Sequence, residues 1–411
     1  MALPATVGVT INFSDGPAYA QAMILDQGLL GTNVLANSAA IIIDYSAQTT
    51  QIATRRARDL INDIYNTGSA SVKILDPNGD FNPTNTLSPI YGFVKPLRKI
   101  QITATYGATT YSLFSGYISE YRYTYPVGQE IGYVTVQAFD AFKILNLAYI
   151  ETVTGGVLGQ DTGTRIDKIL DQVDWPLSMR SVSVGDTTCI ADTGTTRTAL
   201  QAIRVAEFSE LGAFYMDGAG NAIFKSRTET IETAGGTPTV FNQTGGIDYA
   251  NLKFALDDKL IINSANITRA GGTTQTSTDT ASVDTYFLHS VNSNNLIMET
   301  DADALDVAQL YVASRKDTDL RIDSMTLDLM TANYTAGVTA ALSMDFLSPV
   351  TISNIQPNGD TITKTLQIQG MSHDITPNSW VSNFLTMEPI TDGFLLDSTI
   401  WGILDTSVLS Y

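Results

Sequence analysis

Short runs of β-branched and aromatic residues, separated by turn signals, dominate the sequence between residues 70 and 148. They constrain the fold more than any other feature, because a chain with this texture closes into a β-barrel or packs as a β-sandwich. The run Asp76-Pro77-Asn78-Gly79-Asp80 ends the first strand as a tight turn. The strands of this region are predicted over residues 70–75, 99–106, 110–125 and 130–139.

The same alternation recurs before and after this region. Residues 54–64 fit either one or two helical turns or a strand, and the sequence leaves that choice open. The remaining strands are predicted over residues 7–13, 39–45, 260–268, 320–330, 349–355 and 361–375.

A short helix is predicted over residues 140–147, and three longer helices interrupt the β-rich pattern after it. Apolar residues at i, i+3, i+4 and i+7 predict a helix over residues 164–173. A second helix is predicted over residues 196–211, and a hairpin over residues 213–224 follows it. A third helix is predicted over residues 301–315, with Asp301 as its N-cap. The two earlier helices and the hairpin together predict a small α/β unit.

Two hairpins that lie far apart in the sequence have similar patterns. One begins at Ile100 and the other at Val350, and each places a glycine (Gly116 and Gly370) after an alternating strand. Two related barrels would explain this similarity, whereas a chance likeness between ordinary hairpins is the alternative explanation.

The predicted fold class is mainly β with α+β insertions, and the chain is long enough for several domains. Two related β-barrel or sandwich domains and a small α/β domain are expected. The predicted divisions are an N-terminal β-barrel domain with an arm (1–150), the small α/β domain (151–250), a second β-rich domain (251–390) and a C-terminal arm (391–411).

The formal net charge of −19 argues against a general nucleic-acid-binding surface. Residues 1–54 and 365–411 contain no lysine or arginine, and we interpret both ends as segments that meet a partner or each other. Cys189 is the only cysteine, so no intrachain disulfide forms, which fits a reducing compartment. No apolar run approaches the roughly 18 residues of a membrane span, and no signal peptide is recognised.

No catalytic motif is recognised, and the sequence predicts neither an enzyme nor a cofactor. His289 and His373 lack a nucleophile in a known motif, and two histidines with one cysteine exclude a His/Cys metal cluster. Glu207 and Glu210 share a helix face, so a cell-wall hydrolase built on paired carboxylates is one alternative. A structural ion pair with Arg227 is the preferred interpretation, because the helix C-terminus disfavours negative charge.

Several motifs follow one another along the chain in a characteristic order. They are Arg55-Arg56-Ala57-Arg58, the strand from Leu113 to Tyr121, Asp174-Trp175-Pro176, the Asp217-Gly218 hairpin, and His373 with Trp380. In this order they resemble motifs of the minor tail proteins and baseplate or tail-tip hub proteins of tailed bacteriophages. Each motif is loose by itself, and the order carries the resemblance.

The resemblance implies a homotrimeric ring at the distal end of a phage tail, assembled in the host cytoplasm and kept in the virion. Hubs of this family contain two related β-barrels, so three chains match the sixfold symmetry of a tail ring. The implied partners are the distal tail or tail tube protein, the tape measure protein and tip or fibre proteins. DNA would pass without specific binding. A receptor- or carbohydrate-binding tail protein is the alternative function.

Two groups of residues are predicted to contact neighbouring subunits. Basic residues would meet acidic surfaces, and apolar residues of the terminal segments would dock on adjacent subunits. The basic group comprises Arg55, Arg56, Arg58, Lys95, Arg98 and Lys99, and the apolar group comprises Leu25, Leu29, Leu396, Trp401, Leu404 and Leu409.

Overall fold

The computed structural model describes residues 3–14, 41–127, 131–331 and 335–389. The strands of the N-terminal part are β1 (Thr6–Asn12), β2 (Ile42–Asp44), β3 (Thr49–Asp59), β4 (Ile64–Tyr65), β5 (Ser69–Leu75), β6 (Lys99–Tyr106), β7 (Thr109–Thr124) and β8 (Tyr133–Phe139). The middle part contains β9 (Tyr149–Ile150), β10 (Gln160–Asp161), β11 (Arg180–Val182), β12 (Thr188–Cys189), β13 (Arg197–Thr198), β14 (Ala213–Met216), β15 (Ala222–Lys225) and β16 (Thr239–Phe241).

The C-terminal part adds a further group of strands. They are β17 (Asn251–Ala255), β18 (Ser264–Arg269), β19 (Gln275–Thr278), β20 (Ser290–Leu296), β21 (Arg321–Asp328), β22 (Pro349–Ile355), β23 (Thr361–Thr376) and β24 (Ser379–Met387). The helices are α1 (Phe142–Leu147), α2 (Thr162–Gln172), α3 (Ala199–Glu210), α4 (Arg227–Ala234), α5 (Thr280–Tyr286), α6 (Asp301–Arg315) and α7 (Ala336–Ser343).

The open choice between helix and strand after residue 54 is resolved as a strand, because β3 continues to Asp59. Helix α6 has the predicted bounds, but its N-cap is Thr300 rather than Asp301. The Thr300 hydroxyl accepts the backbone N–H of Asp303 at 3.1 Å, and the Asp303 carboxylate accepts the Thr300 N–H at 3.0 Å. This reciprocal capping box places the N-cap one residue earlier than the sequence suggested.

One large sheet contains most of the strands. Its main path runs β17-β21-β24-β23-β3-β5-β8-β7-β6-β1-β2, and β4, β16 and β22 pair off this path. The inward faces alternate with exposed faces along the strands, as in β5, where Ala70, Val72 and Ile74 are buried and their neighbours are not. This period of two is what places one side of each strand in the core.

Two sets of five strands share the same chain order and the same pairings. We call β3, β5, β6, β7 and β8 the first repeat, and β17, β21, β22, β23 and β24 the second repeat. In each repeat the first strand pairs with the second, the second with the fifth, the fifth with the fourth, and the fourth with the third, always antiparallel. The predicted mainly β fold with two related β units is therefore confirmed.

Local geometry supports the equivalence of the repeats. Leu97 and Leu347 both have left-handed backbones, with φ of 63° and 65°, which is unusual for leucine. The Leu97 N–H donates to the Ile118 carbonyl at 2.7 Å, and the Leu347 N–H donates to the Ile368 carbonyl at 2.8 Å. A β-bulge then follows Ile118 in one repeat and Ile368 in the other. Two matching irregularities at matching places are hard to reconcile with chance.

The bulges also correct the register inferred from the sequence. The sequence pattern equates Gly116 with Gly370. When the two bulges are aligned, however, Gly116 is equivalent to Leu366, and Gly370 is equivalent to Glu120. Each glycine has its own steric reason. A Cβ on Gly116 would lie 2.4 Å from the Phe139 carbonyl oxygen, so this position requires glycine for close strand approach within the first repeat.

A backbone ladder joins the two repeats. The C-terminal part of β23 pairs antiparallel with β3, from Gly370 opposite Ala57 to Ile375 opposite Ile52. The strands of the expected domains 1–150 and 251–390 thus lie in one continuous sheet. The four-part division of the chain itself stays a prediction.

Two smaller units complete the fold. The α/β unit (162–234) contains α2, α3, α4 and a sheet in which β15 pairs parallel with β11 and antiparallel with β14. Its buried residues Ile203, Phe214 and Phe224 belong to the same hydrophobic core as the large sheet. The inserted unit (264–315) contains β18–β20, α5 and α6, lies between β17 and β21 in the chain, and has a separate small core.

We expect Gly370→Ala to destabilise the protein by about 1–3 kcal/mol, the usual cost of overpacking. A Cβ at this position would lie 2.8 Å from the Ala57 Cβ and 3.0 Å from its Cα, so β23 would be pushed away from β3. Urea unfolding of the two proteins measures the difference.

The double variant Gly370→Ala/Ala57→Gly provides the control, since it removes the closest atom. It should recover part of the lost stability relative to the sum of the single changes. Strict additivity of the two effects would show that the contact with Ala57 is not the cause.

Candidate functional site

The basic run of β3 does not form one exposed patch. Arg55 is exposed, whereas Arg56 is buried and Arg58 is largely covered. Alternation along the strand explains this split, since adjacent side chains point to opposite faces. The expectation that all three contact a neighbour therefore needs correction, because the guanidinium groups of Arg56 and Arg58 are used inside this chain.

Arg56 connects three parts of the molecule. Its Nη1 lies 2.7 Å from Asp345 Oδ1 in the segment before β22, and it donates to the Met216 carbonyl of the α/β unit at 3.2 Å. The guanidinium carbon also lies 5.4 Å from the centroid of the Phe346 ring. The first repeat, the α/β unit and the second repeat thus meet at one buried cation.

Arg98 is also buried and correspondingly unavailable to a neighbour. Its Nε donates to the Phe93 carbonyl at 3.1 Å, and its Nη1 donates to the Ser14 carbonyl. Lys95 is exposed, and Lys99 is half-buried with a pKa lowered by that burial. Of the six predicted basic contacts, Arg55, Lys95 and Lys99 remain candidates for an interface.

A second buried charge cluster surrounds Asp63, whose own backbone is left-handed. Its carboxylate lies 2.6 Å from Arg315 Nη2 and 3.1 Å from Arg58 Nη2, and it accepts a hydrogen bond from the Tyr311 hydroxyl. Burial raises the pKa of Asp63, but Arg58 and Arg315 outweigh this effect and hold that pKa below its usual value. The cluster ties the turn after β3 to helix α6 of the inserted unit.

The paired glutamates of α3 are both buried and bond to backbone groups. Glu207 accepts the Phe214 N–H at 2.8 Å, while Glu210 accepts the Arg227 N–H at 3.1 Å and a hydrogen bond from the Thr162 hydroxyl. The predicted ion pair of Glu210 with Arg227 is thus a backbone hydrogen bond instead. Burial raises the pKa of Glu207 to about 7 and also raises that of Glu210. With both carboxyls covered, this geometry offers a substrate no open face.

The histidine and cysteine candidates also lie in structural positions. His373 is buried, its Nδ1 lies 2.8 Å from Ser382 Oγ, and burial lowers its pKa to about 3. Cys189 is buried too, and burial raises the pKa of its thiol to about 12. No group of three or more His, Cys, Asp or Glu side chains in the described ranges could hold a metal ion.

Six apolar residues of the terminal segments were predicted to dock on adjacent subunits. They lie outside the described residues: Leu25, Leu29, Leu396, Trp401, Leu404 and Leu409. For the part of the chain that the structure does describe, no helix is long and apolar enough to cross a membrane.

Sequence reasoning missed the partners of the buried arginines. Asp345 is 289 positions from Arg56 in the chain, and Arg315 is 252 positions from Asp63. No local sequence pattern predicts such distant pairs. Only the composition indicated that such pairs exist, because a strongly acidic chain offers each of its few arginines many possible carboxylate partners.

Comparison with known proteins gives matches at the level of structure. No protein-family model matches the chain, and no curated protein matches it. The chain is similar to the 43 kDa tail protein of prophage MuSo2 from Shewanella oneidensis, with 13% identity and a TM-score of 0.53 over 83% of this chain and 95% of that one. It is also similar to a tail protein from Neisseria meningitidis MC58, with 10% identity and a TM-score of 0.56 over 93% and 96% of the two chains.

At such low identities the likeness concerns the fold. This chain has the fold of these two tail proteins, one of them from a prophage, and the resemblance inferred from the order of its motifs is confirmed at that level. The two comparisons cover 83% and 93% of this chain, so the likeness is not confined to one of the two repeats.

We expect Asp345→Ala to destabilise the protein more than Arg56→Met does. The Asp345 side chain is 35% exposed and can be hydrated when its partner is removed, whereas the Arg56 side chain is 5% exposed and would keep an unpaired buried charge. Breaking a buried pair from one side costs about 3–5 kcal/mol. Urea unfolding of both variants measures the order, and the opposite order would contradict the assignment of Arg56 as the buried partner.

We expect Glu207→Gln to flatten the pH dependence of stability. The pKa of about 7 lies above the ordinary value, so between about pH 4.5 and 7 the folded state binds more protons than the unfolded state. Wild-type stability should therefore fall as pH rises through this window, by roughly 3 kcal/mol for this group. The variant should gain relative stability at pH 8, measured by urea unfolding from pH 5 to 8.

Glu229→Gln is the matched control, because the Glu229 carboxylate pairs with Lys225 at 2.8 Å and its pKa is lowered. It should not flatten the profile. Asp140, whose pKa burial also raises to about 7, leaves a residual slope in both variants. Parallel profiles for wild type and Glu207→Gln would refute the predicted titration.

Proposed function

We propose that this protein is a structural component of a phage tail and forms a homotrimeric hub at the distal end of the tail. The shared fold with two tail proteins supports the tail role. The internal repeat is the observation that supports a trimer. Three chains with two equivalent repeats each present six similar β units, which suits a ring stacked on a sixfold tail tube.

The continuous sheet is well suited to such a ring. The β3–β23 ladder fixes the two repeats relative to each other by backbone hydrogen bonds, and Arg56 fixes the α/β unit against both. A ring that withstands genome passage needs rigid subunits, and buried ladders and buried ion pairs supply rigidity. Conformational change would then occur between subunits more readily than within one.

The proposed contacts to neighbours use the surfaces that the fold leaves free. Arg55, Lys95 and Lys99 would meet acidic surfaces of adjacent copies, which a chain of net charge −19 offers in abundance. The terminal segments, outside the described residues, are the proposed docking arms. The distal tail or tail tube protein, the tape measure protein and tip or fibre proteins are the proposed partners.

In this role the protein acts in the virion, at the tail tip, after assembly in the host cytoplasm. Genome DNA would pass through the ring without specific binding, since an acidic chain repels the phosphate backbone. We propose no catalytic activity, in keeping with the covered carboxyls of α3.

One observation favours a second candidate, a carbohydrate-binding tail protein. Tyr123 and Tyr125 at the end of β7 are 37% and 43% exposed, and their rings are stacked with centroids 6.3 Å apart and planes 13° apart. The Tyr125 hydroxyl is anchored to Asp76 Oδ2 at 2.8 Å. Exposed, fixed aromatic faces suit sugar rings. Glycan-array binding that Tyr123→Ala/Tyr125→Ala abolishes would favour this candidate over the hub.

We expect the purified chain to have three times the mass of one subunit by light scattering or native mass spectrometry. Arg55→Glu/Lys95→Glu should weaken the trimer at least tenfold, because each reversal places like charges across an acidic interface. Lys259→Glu, which changes an exposed lysine outside the predicted group, should leave the mass unchanged.

The position of the chain in assembled tails is the decisive test of the hub proposal. A reconstruction of assembled tails with the chain anywhere other than the distal tip, or present as isolated monomers, would overturn the hub proposal. A trimer that survives the charge reversal would retain the hub but remove these residues from its interface.

A further inference from the structure

Three arginines converge on a small cavity between the first repeat, helix α3 and helix α6. Arg58, Arg204 and Arg315 line it together with two carboxyl groups, those of Asp63 and Glu207. We call this space the arginine cavity. Its volume is about 40 Å³, which is enough for a small ion or a few water molecules.

The positive charges of this cavity outnumber the negative ones. Asp63 is shared between Arg58 and Arg315, so one carboxylate serves two guanidinium groups. Arg204 donates a hydrogen bond to a neutral group, the Tyr65 carbonyl, at 3.0 Å, and the carboxyl groups near it are those of Glu207 and of Asp140, whose pKa burial also raises to about 7. Glu207 is the remaining carboxyl, and burial raises its pKa to about 7, which reduces the negative charge it contributes at neutral pH.

An excess of buried positive charge is costly unless a counter-charge compensates it. The Arg315 side chain is 4% exposed and that of Arg58 is 16% exposed, so bulk water reaches them poorly. The Nε–H of Arg58 is buried and has no hydrogen-bond partner among the described residues. A donor without an acceptor, beside two further guanidinium groups, marks a place where an anion would be stabilised.

We propose that the arginine cavity binds a monovalent, single-atom anion, with chloride as the ligand available in solution. The ion would accept the Arg58 Nε–H and balance the charge of Arg204. Bound there, it would join the turn after β3 to α3 and α6, and so strengthen the attachment of the inserted unit. Such a role goes beyond the tail function and holds whether or not the protein forms a hub.

Bromide is the probe that locates the ion, because it replaces chloride and scatters anomalously. Crystals of the wild-type full chain soaked in sodium bromide should show an anomalous peak within hydrogen-bond distance of Arg58 Nε. A water molecule at this position with no anomalous signal would overturn the proposal. This readout needs no variant, so it does not depend on how well any variant folds.

Thermal melts of the full chain measure the linkage. Sodium chloride should raise the Tm above that in sodium gluconate of equal ionic strength, by about 2 °C and with saturation. Arg204→Gln should lose this difference, and Arg227→Gln, at the start of the neighbouring helix α4 and outside the cavity, should keep it. Equal melting in the two salts for the wild type would refute chloride binding.

Discussion

The hydrogen-bonded ladder between β3 and β23 is the constraint on which the rest of the structure depends. Without it the two repeats would be separate β units connected by chain; with it they form one sheet with one orientation. The ladder requires close approach, which Gly370 permits opposite Ala57. Arg56, in the same stretch of β3, then reaches the segment before β22 and the α/β unit, so the junction between the repeats also anchors the α/β unit.

Much of this fold was accessible from the sequence, because its strands carry strong local signals. Alternation and turn residues predicted β5, β6 and β7 to within about one residue, and helical spacing predicted α2, α3 and α6. The hairpin echo pointed to the repeat, but glycine proved a misleading anchor for its register. The bulges that set the true register are not marked by a particular residue type, since the bulged residues, Ser119 and Gln369, are unlike each other.

The candidate interface was harder to predict, for a physical reason. Whether an arginine faces solvent or a buried carboxylate depends on tertiary neighbours that are hundreds of positions away. Alternation along a strand places Arg55 and Arg56 on opposite faces, but the sequence left the choice between helix and strand open for residues 54–64, so this signal was not used. Helices α4, α5 and α7 were missed because they contain only seven or eight residues each, so packing rather than pattern determines them.

The inserted unit has a consequence for how such chains can diversify. The chain leaves the large sheet at Ala255 and returns to it at Arg321, and these two residues are direct partners in the β17–β21 pair. A loop that leaves and rejoins a sheet at neighbouring points can be lengthened, shortened or exchanged with little effect on the strands themselves. The second repeat can therefore accept insertions of different size between β17 and β21. Related chains could carry a different module there, or only a tight turn, and still keep the same framework of paired strands.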